Sequence, residues 1–393
     1  MKVYPKYKPS GVDWLGEIPE TWDRYRIKFF FNSINGGVWG EEPIGNENDM
    51  ICIRVADFDY NNGVINLNKL TTRNISLSEQ KGRVLKKGDL LIEKSGGGEL
   101  SPVGRVVKFD LDVKAVCSNF INRLNTKNTF SPDFLNYLNK FLYAKGLTEI
   151  CINQTIGIQN LKTGEFLGKT VFVPSLSEQQ NIVDFLDYKT GQCDRFIANR
   201  QKQIELLNEQ KAAIINKAVT KGINPNAKMK TSGIDLIGEI PENWNIWKLK
   251  FLTKKIGSGV TPLGGSQVYK TEGVAFFRSQ NIYNDRLELS GISFIDEKTH
   301  QDMQNSRVEF GDVLLNITGA SIGRCFFFSG EYPEANVNQH VCIIRSNKKI
   351  LFNFLHSVMI SEIGQNQIFS KQSGTNREGL NFEQLKNFDI PLP

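Results

Sequence analysis

The stretch that comes nearest to a catalytic motif is "TGEFLGKT" at residues 163–170. A phosphate-cradling loop needs Gly, four residues, then Gly-Lys-Thr, so that backbone N–H groups and the lysine surround the anion. Thr163 holds the first position, and Gly164 stands one residue too close. The stretch reads instead as a turn entering a strand. Six cysteines (Cys52, Cys117, Cys151, Cys193, Cys325, Cys342) form no CxxC pair, which argues against zinc and a disulfide framework and for small buried hydrophobes. Three histidines, His300, His340 and His356, have too few polar ligands nearby in the sequence to suggest a metal site. An adenine methyltransferase would need an "NPPY"-type loop and a Gly-rich cofactor turn. Neither occurs, and "NPN" at 224–226 is a linker turn. No nuclease-type carboxylate and lysine cluster stands out. The expectation is a chain that is not an enzyme.

What, then, do its elements position? At 393 residues the chain suits two domains plus a connector. Its 40% hydrophobic and 23% charged residues are those of a soluble globular protein. No apolar run approaches the ~20 residues that span a bilayer. The opening "MKVYPKYKPSGVDW" has no apolar signal-peptide core, so a cytoplasmic protein is expected. A net charge of +6 permits nucleic-acid binding without demanding it.

The organising feature is a repeat. "SGVDWLGEIPETW" at 10–22 returns as "SGIDLIGEIPENW" at 232–244, matching at nine of thirteen positions with an offset of 222 residues. "RIKF" then meets "KLKF", and "ICIRVADFDYNNG" around Arg54 meets "AFFRSQNIYND" around Arg278. "RVLKKGDLLI" parallels "RVEFGDVLLN", and "KSGGGELSPVGR" parallels "ITGASIGR", ending at Arg105 and Arg324. "NLKTGEFLGKTVFVP" parallels "GLNFEQLKNFDIPLP", with Pro174 matching Pro393. A unit of about 170 residues is a duplicated domain, far beyond solenoid periods. Each copy reads as mixed α/β: short apolar strands between Gly, Asn and Pro breaks, with one helix near "SPDFLNYLNKFLYAKG" or "LFNFLHSVMISEIG".

Residues 175–222 have no second copy and read as helical, giving domains at 1–174 and 223–393. Ser177 with Gln180 forms a capping-box pattern, acidic residues lead, basic residues close, and Gly222 ends the segment. Thr190-Gly191 is expected to interrupt it, leaving a short helix to about Tyr188 and a long one from about Gln192. Cys193, Ile197, Ile204, Leu207, Ile214 and Ala218 form a 3-4 spaced stripe that suits a coiled-coil partner helix or packing on the chain's own domains. Thirty helical residues span ~45 Å, a rigid ruler.

Two domains with "GEIPExW" and "GDxL" phrases, joined by "PSLSEQQNIVDFLD" and a long helix, resemble the specificity subunit of a type I restriction–modification enzyme over essentially the whole chain. The resemblance implies two target recognition domains in a pseudo-twofold arrangement, each reading half of a bipartite asymmetric double-stranded DNA target. It implies two modification (methyltransferase) subunits and added restriction subunits as partners, with S-adenosylmethionine and ATP in those partners and no cofactor here. Self-association through the central helix is a further expectation. Family members usually carry a second helical region after the second domain. The chain ends at Pro393, where the first copy continues into "SLSEQQ", so that helix is expected to be absent.

Readout would fall to polar side chains on loops, since Arg and Lys bond guanine, Asn and Gln bond adenine, and Gly-rich backbone admits phosphates. In the first copy the candidates are Arg54, Lys94, Ser95, Gly97, Arg105, Asn153 and Gln154. In the second they are Arg278, Gln280, Asn316, Thr318, Ser321, Arg324, Gln372, Asn376 and Arg377. Arg54 and Arg278 match each other and so suit a structural role equally well. Asn376 and Arg377 face Gly157 and Ile158 in the other copy and suit half-site-specific readout. Loops 33–40 and 256–265 are further candidates for approaching the DNA backbone, while Trp22 and Trp244 read as core anchors rather than base-stacking platforms. Competing functions are a free-standing two-domain DNA-binding regulator, a related methyltransferase–nuclease component with other stoichiometry, and a methyltransferase that would bind S-adenosylmethionine alone.

Overall fold

In a computed structural model, residues 4–68, 70–98, 101–155, 157–370 and 379–393 are described. The chain forms two compact units, Met1–Ile197 and Ala198–Pro393, whose boundary falls inside one helix, Leu176–Lys221.

The unit at the N-terminus is built on an antiparallel sheet of four strands in the order Val106–Lys108, Leu90–Glu93, Ile121–Thr126, Phe31–Gly36. The other unit repeats it with Cys325–Phe327, Val313–Asn316, Val341–Ser346 and Thr253–Ser258. A three-stranded sheet accompanies each: Ala115–Cys117 parallel to Asp49–Ile53, which pairs with Thr71–Asn74, and Ala335–Val337 parallel to Val274–Phe277, which pairs with Ser293–Ile295. The duplication expected from the sequence is thus a duplicated topology of mixed α/β type.

The unbroken apolar runs inside the "GDLL" and "GDVLL" phrases follow from burial on both faces. Alternate side chains of a strand point to opposite sides. Leu90 and Ile92 enter one core with Leu124, Leu135 and Leu142, while Leu91 enters another with Ile53, Ala115 and Ile121. Val313 and Leu315, against Leu314, divide the same way. Burying each such side chain stabilises by about 2 kcal/mol. Helix Pro132–Ala144 covers the first of these cores, capped by Ser131 with Pro at its start. Its counterpart is two helices, Phe352–Ile360 and Glu362–Ser370, separated by Ser361.

The "GD" of each phrase is a lock on the sheet. Gly88 and Gly311 sit at φ 89° and 80°, where a side chain would be strained. Buried Asp89 accepts from the Lys86 amide at 2.7 Å and Arg123 Nε at 2.5 Å, and buried Asp312 accepts from the Glu309 amide at 2.7 Å and Arg345 Nε at 2.8 Å. The phrase is repeated because the same turn must be closed twice.

The "GEIPExW" phrase acts likewise. Its hairpin pairs Tyr7–Pro9 with Glu17–Pro19, and Met229–Thr231 with Glu239–Pro241, in one register. Trp22 Nε1 donates to Glu178 at 3.2 Å, in the first turn of the central helix. Trp244, almost fully buried, packs where that helix ends: a Cβ on Gly222 would lie 3.3 Å from its ring. One copy of the phrase holds each end.

The central helix differs from expectation in two ways. It runs unbroken for 46 residues through Thr190-Gly191. A glycine costs only ~1 kcal/mol in a helix, and Thr190 Oγ1 bonds the Leu186 carbonyl at 2.9 Å, keeping the ladder closed. The expected capping box also fails. The helix already starts at Leu176, Gln180 bonds Asp184 at 2.8 Å, and Gln179 turns back to the Pro174 carbonyl at 2.9 Å. "TGEFLGKT" forms a short helix, Thr163–Leu167, before strand Thr170–Val173.

The helix is anchored by Ile182 and Val183 at one end and by Ile215 and Val219 at the other. The predicted stripe is not what packs. Ile197, Ile204, Leu207 and Ile214 are each more than half exposed, Cys193 is exposed and Ala218 is half-buried. Packing of this stripe on the chain's own domains is therefore corrected. Cys193 also departs from the expected buried cysteines, while the other five are buried, and burial pushes the Cys52 thiol up to about 12.

Candidate nucleic-acid interface

Of the candidate residues, those that the structure describes gather in each unit at one end of its sheets. Glu93 closes strand Leu90–Glu93, pairs with Ile121, and its amide donates to the Arg105 carbonyl at 2.9 Å. Ser118, just before Ile121, donates its amide to the Ile53 carbonyl, one residue before Arg54. In the second unit Asn316 pairs with Val341, its amide donates to the Arg324 carbonyl at 2.8 Å, and the Asn338 amide bonds Phe277, one residue before Arg278. Chain reversals at this shared edge bring Arg54, Lys94 and Arg105, or Arg278, Asn316 and Arg324, together.

Their side chains are in different states. Arg54 grips Asp57 through two nitrogens, at 3.2 and 2.8 Å. Arg105 lies over the Tyr60 ring at 3.5 Å and contacts fully buried Glu93 at 3.3 Å. Burial pushes the Glu93 carboxyl above its usual range, with Arg105 and Tyr60 pulling the other way. In the second unit Asn281 stands where Asp57 was and accepts from the Arg278 amide at 3.0 Å, as Asp57 does from Arg54. Asn316 stands where Glu93 was, donating to the Ser279 carbonyl at 2.8 Å and to Ser321 at 3.1 Å. Arg278 lies over Tyr269 and Arg324 over Tyr283, at 5.4 and 4.9 Å. Among the described residues neither Arg278 nor Arg324 has a carboxylate within salt-bridge distance.

Ser95 and Gly96 pair with Asn160 and Gln159 of a hairpin, Ile152–Thr155 with Ile158–Leu161, on which Asn153 is exposed. Ser95 Oγ bonds Asn160 at 2.7 Å. Gly97 is required by packing, since a Cβ there would meet Gln159 and the Val103 amide at 2.8 Å. Lys94 is half-buried, Gln280 is exposed, and Thr318 bonds His340 at 2.6 Å. The side chain of Gln154, and Gln372, Asn376 and Arg377, lie outside the described residues. Of the two glycine loops, Gly37 and Gly259 face inward: a Cβ on either would stand 2.1 or 1.7 Å from the carbonyl oxygen of Ser118 or Val337.

The histidines need one correction. Glu297, His300 and Glu334 bring ligand atoms within 4.8 Å of one another, so His300 does have polar neighbours that sequence distance concealed. Its Nδ1 faces Asn336 Oδ1 at 2.5 Å and its Nε2 lies 3.6 Å from Glu334. His356 is structural, facing the Cys325 carbonyl at 3.1 Å between aromatic rings, with burial lowering its pKa. The carboxylate-to-amide changes at the aligned positions 57/281 and 93/316 were missed, although both stand in the aligned phrases "RVAD"/"RSQN" and "LLIEK"/"VLLNI".

The family described as type I restriction modification DNA specificity domain matches residues 19–206 and again 241–393, one match per structural repeat. The chain belongs to that family. Among curated relatives, the putative type I restriction enzyme MjaX specificity subunit of Methanocaldococcus jannaschii is 24% identical over 96% of this chain and 84% of its own. The type I restriction enzyme EcoBI specificity subunit of Escherichia coli is 23% identical over 98% of this chain and 78% of its own. A solved chain from work on assembly and conformational transition of the type I R-M system shares the fold with a TM-score of 0.65 at 17% identity, covering 96% of this chain and 87% of that one. The HsdS subunit from Thermoanaerobacter tengcongensis gives 0.51 at 17%, over 96% and 86%. Among the described residues of this specificity-domain protein, no helix is long and apolar enough to cross a membrane.

Proposed function

We propose that this chain is the non-catalytic subunit that selects the DNA target of a type I restriction–modification system, each domain reading one half of a bipartite, asymmetric double-stranded sequence. The supporting observation is one frame built twice on a single helix, with different side chains at the same edge. Identical frames give equivalent docking, and unlike edges read unlike half-sites. The candidate readers are the edge residues above, with Gln154, Gln372, Asn376 and Arg377 proposed from sequence alone. Partners in this reading are two modification subunits and added restriction subunits, which supply S-adenosylmethionine, ATP and all bond-breaking chemistry. The exposed Ile197, Ile204, Leu207 and Ile214 face suits a partner helix, from such a subunit or a second copy. A cytoplasmic location goes with this function. A free-standing regulator is not favoured, because the relatives named as specificity subunits align over nearly the whole chain.

The test is co-expression with the cognate modification subunit and mapping of N6-methyladenine across the host genome. A split motif with two different halves is expected. A contiguous motif, or specific DNA binding that needs no modification subunit, would contradict the assignment.

A further inference from the structure

Arginines at equivalent positions are paired with carboxylates in the first domain, while among the described residues those of the second have no carboxylate within salt-bridge distance. Asp57 and Glu93 hold Arg54 and Arg105. Their counterparts Asn281 and Asn316 carry no charge to offer Arg278 and Arg324. The carboxylates on the adjoining turn, Asp285 and Glu288, are committed to Arg286 at 3.2 and 3.4 Å. We propose that Arg278 and Arg324 form an anion-binding site for the target DNA, taking a phosphate or the O6/N7 edge of a guanine, and that the first domain lacks its equivalent. This rests on the DNA-recognition reading above.

Three features point to a ligand. Arg278 Nε is buried without a hydrogen-bond partner among the described residues, and a buried charged donor left unpaired costs free energy that an oxygen acceptor would recover. The Arg278 guanidinium lies 5.4 Å from the Tyr269 ring, and that of Arg324 lies 4.9 Å from the Tyr283 ring, which Arg286 also covers at 4.5 Å. Both charges thus rest on aromatic rings, which leave carboxylate-free cations at this edge among the described residues. Asn316 ties the pair into one place, since its side chain bonds Ser279, beside Arg278, and its amide bonds the Arg324 carbonyl. Phosphate and guanine share this acceptor chemistry.

The test uses the full chain co-purified with its modification subunit, titrated at several salt concentrations onto labelled duplexes with the intact motif or one half scrambled. Arg278→Ala and Arg324→Ala should each weaken binding about 10-fold. Asn281→Asp and Asn316→Glu, which keep the arginines but supply the first domain's carboxylates, should reproduce that loss. Weakening on every duplex, with a salt slope smaller by about one, identifies phosphate; loss of preference at one base pair identifies guanine. If Asn316→Glu loses cooperative unfolding, the near-isosteric Asn281→Asp carries the test. Wild-type affinity and preference in the arginine variants would overturn the site. A wild-type complex with no DNA preference would remove the recognition reading and this site with it.

Discussion

Asp89 and Glu93 lie on one strand of the first domain, Asp312 and Asn316 on the equivalent strand of the second. The aspartates are treated alike: each is buried, closes the turn before its strand and grips an arginine from the neighbouring strand. Four residues on, the copies part, because Glu93 takes up Arg105 while Asn316 offers Arg324 no charge. The difference separates what duplication preserves from what it releases. Interactions inside the sheets set how the domain is held and cannot drift without unfolding it. Those at the sheet edge differ between the copies and change the charge that each edge presents.

The largest expected effect is therefore shared by both copies. Asp89→Ala and Asp312→Ala each remove the buried carboxylate that closes the turn and grips Arg123 or Arg345. Arg345 keeps Glu309, so the cost should be about 3–5 kcal/mol at Asp89 and somewhat less at Asp312, by chemical denaturation of the full chain. A large loss at one position alone would break the claim of one shared frame. The next effect is asymmetric. Arg105→Ala leaves Glu93 buried and unpaired and should cost about 3 kcal/mol, while Arg324→Ala loses a ring contact and should cost less than about 1 kcal/mol. Equal costs would erase the distinction drawn at the edge. Gly37→Ala and Gly259→Ala return to symmetry, each forcing a methyl against a carbonyl for about 1–3 kcal/mol.

The smallest effect is a pH dependence confined to the first domain. Burial raises the Glu93 carboxyl above its ordinary 4.5, so its contribution to stability is fully present below that value and lost as pH rises through the folded-state value. Glu93→Gln removes this titration. Thermal midpoints of variant minus wild type should be more positive at about pH 7 than at about pH 5. A difference independent of pH would show that Glu93 is not held in this way.

How much of this was legible in the sequence depends on range. The duplication and the Gly222 stop are local signals, and each corresponds to a feature of the structure, whereas the turn closed by Asp89 and Asp312 was legible only as a repeated phrase. The helix break at Thr190-Gly191 was misread because a ~1 kcal/mol penalty is small against a long hydrogen-bonded ladder. The first domain's hairpin, Ile152–Thr155 with Ile158–Leu161, went unseen because two four-residue strands are too short to show a clear alternation of apolar and polar residues. The switch from Glu93 to Asn316 was written in the aligned phrases. Its meaning was not, since Arg105 is twelve residues away and only the sheet brings them together.

The central claim is that two readers on one frame act independently. Its most direct test is to map N6-methyladenine in hosts carrying the modification subunit with either wild-type chain or Arg324→Ala. The account predicts that base preference relaxes, or occupancy falls, in a manner traceable to one half of the split motif while the other half keeps its sequence. Degeneracy spreading into both halves together would contradict it.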